Sequence, residues 1–182
     1  FFPIRYDTAC PYSLKEDGVT LSYLGKEWWL CLIDTALATS LISSRGLFSE
    51  HIETALAAAL KSIPSGQNVI MLNHFSLFAS ESQRKELIRK EALKDLLGKF
   101  PQVKLFLHGH THRHAIADLR ASQLPIVLDS GSTANKQSGT CNFIHIETQG
   151  CSVEAFKNTL HPAEGYGAWE CFTTAHFAWD LS

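Results

Sequence analysis

At 182 residues, with 45% hydrophobic and 19% charged side chains, the chain can bury one substantial core and is too apolar for a disordered segment. A formal charge of -2 and a pI near 6.5 leave no global field to recruit long nucleic acid or an anionic membrane, so any polyanion must be held locally. The five cysteines (Cys10, Cys31, Cys141, Cys151, Cys171) are scattered, odd in number and without a Cys-x-x-Cys pair, which argues against a disulfide framework or a thiolate zinc site and for a reducing, cytoplasmic setting.

No apolar run approaches the roughly 18 residues that a membrane span requires, so no transmembrane segment is expected. FFPIRYDTAC has no basic stretch followed by an apolar one, as a signal peptide would. The chain opens on Phe1, which suggests a processed or truncated piece.

Val19–Asp34, VTLSYLGKEWWLCLID, reads as two strands around a Gly25-Lys26 turn; WWLCLI is apolar on both faces, as a central strand would be. Ser49–Ile63 predicts a helix, with Ser49 as cap, Ile52, Ala55, Leu56, Ala59, Leu60 and Ile63 as one stripe, and Pro64 to Gly66 as its end. Asn68–Leu72, NVIML, is a short buried strand. Residues 80–100 predict a second helix, with Ser80 and Gln83 at capping-box spacing and Leu87, Ile88, Ala92, Leu96 and Leu97 turned inward.

Val103–Leu107, VKLFL, is another apolar strand, and four strand-like runs follow: HAIADL, PIVLD, TCNFIHIE and CSVEAFK. Residues 158–182 form an aromatic-rich tail that no periodicity assigns. Strand–helix–strand–helix–strand followed by further strands predicts an α/β arrangement of two packed sheets with helices outside.

Between VKLFL and HAIADL lies HGHTHRH, four imidazoles at alternate positions. NVIML likewise ends in Asn73-His74. A helix between the two strands makes them parallel neighbours, so both loops share one rim, where α/β folds collect functional groups. Imidazoles without thiolates suit manganese, iron or zinc in an open site. The plainer alternative is a solvated histidine-rich turn, which the convergence of two histidine-bearing strand ends disfavours.

NHF after a strand, LFLHGHTH some thirty-five residues on, and then IVLDSGS resemble the C-terminal half of the calcineurin-like metallophosphoesterases. The resemblance covers Val19 to Lys157 and implies a metallophosphoesterase-type β-sandwich flanked by helices, of which residues 1–157 are the C-terminal part. It implies two divalent metal ions (Mn, Fe or Zn), with His74 and His110 on one and His112 on its neighbour. Gly109 is expected to give the backbone its freedom to turn. The implied activity is phosphodiester or phosphoanhydride hydrolysis, with a phosphorylated small molecule or lipid-linked nucleotide as substrate.

The Asp-x-His, Gly-Asp and Gly-Asn-His-Asp/Glu motifs of the family's N-terminal half are absent, and with them every carboxylate ligand and the histidine that serves the leaving group. No catalytic residue is therefore assigned. Three neutral imidazoles do not balance two divalent ions. The chain is expected to be inactive alone and to associate with the missing N-terminal half or a second copy, leaving a strand such as WWLCLI without a neighbour or cover. The alternative is a non-catalytic or split module that serves as a binding domain.

HTHRH is also similar to the H-x-H-x-D-H of metallo-β-lactamase-like hydrolases, but Arg113 stands where the aspartate belongs. Ser132 and Thr133 can be read as a phosphate-cradling loop, but a plain turn fits a Gly/Ser cluster better; Asp34 ends a strand and could be a ligand, but the resemblance gives it only a structural place. An extended backbone from His110 to His112 would place those two side chains about 6.6 Å apart on one face. His114 would then lie too far along to join them, and His108 would point away or support the site from behind.

Overall fold

The computed structural model describes residues 10–37, 44–78, 83–134, 139–160 and 167–180. A four-residue helix, α1 (Leu14–Asp17), leads into the hairpin of β1 (Val19–Gly25) and β2 (Trp28–Ile33), paired antiparallel. The turn falls on Lys26 and Glu27, both left-handed (φ 48° and 66°), one residue later than the Gly25-Lys26 turn expected from sequence. Two left-handed central residues match the right-handed twist of the flanking strands.

After β3 (Gly46–Leu47), α2 (Glu50–Ser62) forms as its pattern dictates. The Ser49 hydroxyl accepts the Ile52 N–H at 3.2 Å, and Ile52, Leu56, Ala59 and Leu60 are buried. β4 (Asn68–Leu72) follows.

The helix expected over residues 80–100 is only partly formed; Ser80 lies outside the described residues. Gln83–Lys85 make one tight turn, β5 (Leu87–Ile88) pairs parallel with β3, and α3 starts only at Lys90, running to Leu97. Leu87 is buried and Arg89 is left-handed (φ 63°). The Arg89 guanidinium donates to the Phe48 carbonyl at 3.2 Å and to Glu53 at 2.6 Å. Strand pairing and this tether outweigh local helix propensity, a weak preference where tertiary contacts compete.

The chain continues through β6 (Val103–His108), β7 (His114–Asp118), β8 (Ile126–Ser130), β9 (Thr140–Ile146), β10 (Gly150–Leu160) and β11 (Gly167–Ala178). The larger sheet has the order β1-β2-β4-β6-β8-β7, with β2, β4, β6 and β8 parallel and the two outer strands antiparallel. The smaller sheet has the order β11-β10-β9 and is antiparallel. Trp28, Ile70, Leu105, Ile126 and Leu128 of the larger sheet pack on Cys151 and Val153 of the smaller. On the other face, Val69, Met71 and Phe106 pack with Leu56 and Leu60 of α2 and Leu93 and Leu97 of α3. The architecture is thus an α/β sandwich of two sheets with helices outside.

Two expectations change. WWLCLI is β2, paired on one side with β1 and on the other with β4, so it lacks no neighbour. Both neighbours come from within the chain: β1 across the hairpin already expected from sequence, and β4 in parallel. The tail without periodicity holds β11, which pairs with β10 along eleven registered positions from Gly150↔Ala178 to Leu160↔Gly167. Exposed apolar side chains gather instead on the smaller sheet, at Phe143, Trp169 and Phe172. No helix among the described residues is long and apolar enough to cross a membrane.

Candidate metal centre

The parallel strands β2, β4, β6 and β8 end together at one rim. A cleft of about 490 Å³ opens there, lined by Asp34 after β2, Asn73 and His74 after β4, His108 and Gly109 at the end of β6, and Ser130 of β8. The shared rim expected from the crossover is present.

His74 is held by the turn that follows β4. Buried Asn73, 4% exposed, donates through Nδ2 to the Phe75 carbonyl at 3.1 Å and accepts the Thr35 hydroxyl at 2.8 Å. The Asn73 N–H bonds the Leu107 carbonyl and the Gly109 N–H bonds the His74 carbonyl, so the two loops are stitched by their backbones. The Phe75 ring lies 4.9 Å from the His74 ring and 4.6 Å from that of His110, forming a buried floor under both.

His74 and His110 come together. His74 Nε2 and His110 Nδ1 are 2.9 Å apart, with the rings edge to face. Burial first, and then the facing His74, push the His110 pKa down; the Lys85 backbone acts in the opposite sense without forming a hydrogen bond of ordinary geometry. His110 is therefore favoured as the neutral imidazole, which has a lone pair to offer. Its Nε2 is buried and makes no hydrogen bond.

The loop carrying the other histidines is not extended. His110 (φ 69°) and His112 (φ 56°) are both left-handed, and the Thr111 N–H bonds the Gly109 carbonyl at 2.8 Å in a three-residue turn centred on His110. Gly109 does not use the positive φ open to glycine; the histidines take that conformation instead. His112 is exposed, and among the described residues no three His, Cys, Asp or Glu side chains are placed to hold one metal ion.

His108, 6% exposed, lies beside Asp129, 2% exposed, its registered neighbour across β6 and β8. Its Nδ1 faces the Gly109 carbonyl at 3.1 Å and Asp129 Oδ2 at 3.5 Å. Two acceptors on that side put the proton on Nδ1 and leave Nε2, which is buried and has no partner, as the lone-pair nitrogen. Burial is the main cause pushing the His108 pKa down. His114 sits in β7, with Nε2 2.9 Å from Asn142 Oδ1 and its ring against Phe172.

The His74 and His110 nitrogens are hydrogen-bonded to each other, one ring donating, and their spacing is close to that of two nitrogens sharing one ion. Two nitrogens bound at about 2.1 Å lie about 3.0 Å apart at a right angle and about 3.4 Å apart at a tetrahedral one. The observed 2.9 Å falls at the right-angle end. Sequence reasoning missed the residues that shape this pair: Thr35, Asn73, Phe75, Thr111 and Asp129. Asn and Asp directly after apolar strands were the available signal, since buried polar groups at strand ends must find partners.

No family model and no curated protein matches the chain. Among solved structures it is similar to a dimetal phosphatase from Danio rerio, with a TM-score of 0.67 and 13% identity over 93% of this chain and 63% of that one. A putative 5′-nucleotidase from Staphylococcus aureus, in complex with α-ketoglutarate, aligns at a TM-score of 0.39 and 14% identity over 96% of this chain and 32% of that one. Vps29 from Chaetomium thermophilum aligns at 0.36 and 11% identity over 78% and 84%. The last two align too loosely to bear on function. At 13% identity the first shows the fold: the chain has the metallophosphoesterase-type α/β architecture and spans 63% of the length of that phosphatase.

Proposed function

We propose that the chain supplies the histidine part of a metal-dependent phosphohydrolase, with His74 and His110 binding one divalent ion and His112 its neighbour. The observation that carries the reading is the pair of facing ring nitrogens, 2.9 Å apart, at the rim of parallel strands. The likeness to a dimetal phosphatase supports it.

Divalent ions held there would supply Lewis-acid polarisation of a phosphoryl oxygen. The chain's own part is to present the imidazoles on a frame of strand ends stitched by backbone hydrogen bonds. The Phe75 ring keeps one side of both imidazoles dry, and the Asn73 hydrogen bonds fix the turn from which His74 projects. Of the described carboxylates, Asp34 lines the same cleft as His74, and the resemblance assigns the carboxylates that would balance two ions to motifs this chain lacks. The substrate class is a phosphorylated small molecule or a lipid-linked nucleotide, and the carboxylates would come from a preceding N-terminal region or a partner chain.

Calorimetric titration with Mn²⁺ and Zn²⁺ tests the binding part, and turnover of bis-p-nitrophenyl phosphate tests the chemistry. The chain joined to its natural N-terminal region should hydrolyse the ester with manganese present, and the isolated chain should not. Robust turnover by the isolated chain, abolished by His110→Ala, would overturn the shared-site reading.

A second reading, a phosphoesterase fold kept as a binding module, is favoured by one observation: no third ligating side chain joins the histidine pair among the described residues. Absence of Mn²⁺ and Zn²⁺ binding with the N-terminal region attached would decide for it.

A further inference from the structure

Asp129 is a carboxylate in the interior, yet it spends its hydrogen bonds on loops rather than on the sheet. Oδ1 accepts the Gly131 N–H at 2.9 Å, and Oδ2 accepts the Thr111 hydroxyl at 2.5 Å. Oδ2 also faces His108 Nδ1 at 3.5 Å. A buried carboxylate is costly unless donors surround it, so this arrangement has a strong preferred geometry.

Thr111 is the residue between the two left-handed histidines. It closes the turn at each of them. Its N–H bonds the Gly109 carbonyl across His110, and its hydroxyl oxygen accepts the Arg113 N–H at 3.3 Å across His112. One hydroxyl therefore takes a donor from beyond His112 while donating to Asp129. A histidine in the left-handed region is disfavoured and persists only where its surroundings enforce it. The enforcing group here is Thr111, and the anchor of Thr111 is Asp129.

We infer that Asp129 is a positioning residue: through the Thr111 hydroxyl, its buried carboxylate holds the Gly109–Arg113 loop in the conformation that sets His110 against His74. Toward a metal ion the inference rests on the proposed function; the geometry of the histidine pair itself does not. Asp129 touches neither His110 nor His74 and acts on them only through the loop.

The test uses Thr111→Val, Thr111→Ser and Asp129→Asn in the full chain. Thr111 is partly exposed, so its variants keep the core if Asp129→Asn fails to fold. Two readouts are taken: long-range proton–nitrogen spectra of the histidine rings without metal, and calorimetric affinity for Mn²⁺ and Zn²⁺. Thr111→Val should abolish the spectral signature of the His74–His110 contact and weaken metal binding by about 10- to 100-fold. Thr111→Ser, which keeps the hydroxyl, should restore both. A merely structural role would lower the melting temperature and leave the histidine spectrum of the folded protein unchanged. An unchanged ring contact in folded Thr111→Val overturns the inference whether or not metal binds. A wild-type chain that binds neither ion, even with its N-terminal region, overturns the functional reading, and the positioning role then stands or falls on the spectra alone.

Discussion

Thr35 and Asn73, just beyond the ends of β2 and β4, face each other in the interior: the threonine hydroxyl donates to Asn73 Oδ1 at 2.8 Å, with 1% and 4% of the residues exposed. Thr35→Val leaves a buried amide oxygen unpaired and should cost about 1–3 kcal/mol in urea denaturation. Asn73→Ala should cost as much or more, since the Phe75 carbonyl also loses its donor. A double-mutant cycle should return a coupling above about 0.5 kcal/mol. Simple additivity would show that the contact does not tie the two strand ends together.

Gly131 has φ 72°, and a Cβ there would meet Thr140 Oγ1 at 2.1 Å. Gly131→Ala therefore carries both a backbone penalty of about 1–2 kcal/mol and a steric one. Adding Thr140→Ala should relieve the clash, with Thr140→Ala alone as the reference because it also removes the hydroxyl's bond to the Ser130 carbonyl. In thermal melts Gly131→Ala should therefore cost less in the Thr140→Ala background than in the wild type; an equal drop in melting temperature would refute the steric contribution.

Burial pushes the Cys31 thiol up to about 12 and the Cys151 thiol to about 11. The thiolate is the reactive form, so both should resist iodoacetamide in the folded protein at pH 8 while exposed Cys171 is alkylated. The sign for stability follows. A folded-state pKa raised above the unfolded value contributes stability that is present below about 9 and lost as pH climbs toward 12. Stability measured from pH 8 to 11 should fall, and Cys31→Ala should flatten the fall. Rapid labelling of Cys31 at pH 8 would contradict its burial.

Phe75 is buried and touches both His74 and His110, and its ring occupies the space that a Cβ on Gly46 would need, at 2.5 Å. Phe75→Ala should cost about 3–5 kcal/mol and loosen the histidine pair. Phe75→Leu should recover much of the stability without the ring contacts, so a melting curve and a histidine nitrogen spectrum should respond differently to it. Gly46→Ala should be as harmful as Phe75→Ala, because the added methyl strikes an aromatic ring in the core.

Much of the fold was legible because local and tertiary preferences agreed. Ser49 and its apolar stripe made α2, and NVIML and VKLFL made parallel strands whose shared rim brought His74 to His110. Legibility failed where tertiary contacts overruled local pattern. Residues 83–89 carry helix formers, yet Leu87 pairs with Gly46 and Arg89 reaches Phe48 and Glu53. The tail was unreadable because β11 is exposed along most of its length, and a strand without one buried face shows no alternation. In the site, the histidines announced themselves by spacing. The backbone turns at His110 and His112 did not, since they depend on Thr111 and a carboxylate eighteen residues away.

His74 and His110 are 36 residues apart and meet only because β4 and β6 lie side by side in parallel. Parallel neighbours need a crossover, whose loop-closure entropy is spent before any strand contact repays it. The β1–β2 hairpin and α2 hold mostly local contacts and can form early. The histidine contact depends on the non-local pairing of β4 with β6 and is expected to form late, as α3 packs on the sheet. In a refolding experiment it should appear after secondary structure and together with burial of Leu93 and Leu97. The imidazole pair therefore marks completion of the crossover, and a chain nicked between β4 and β6 should collapse without assembling it.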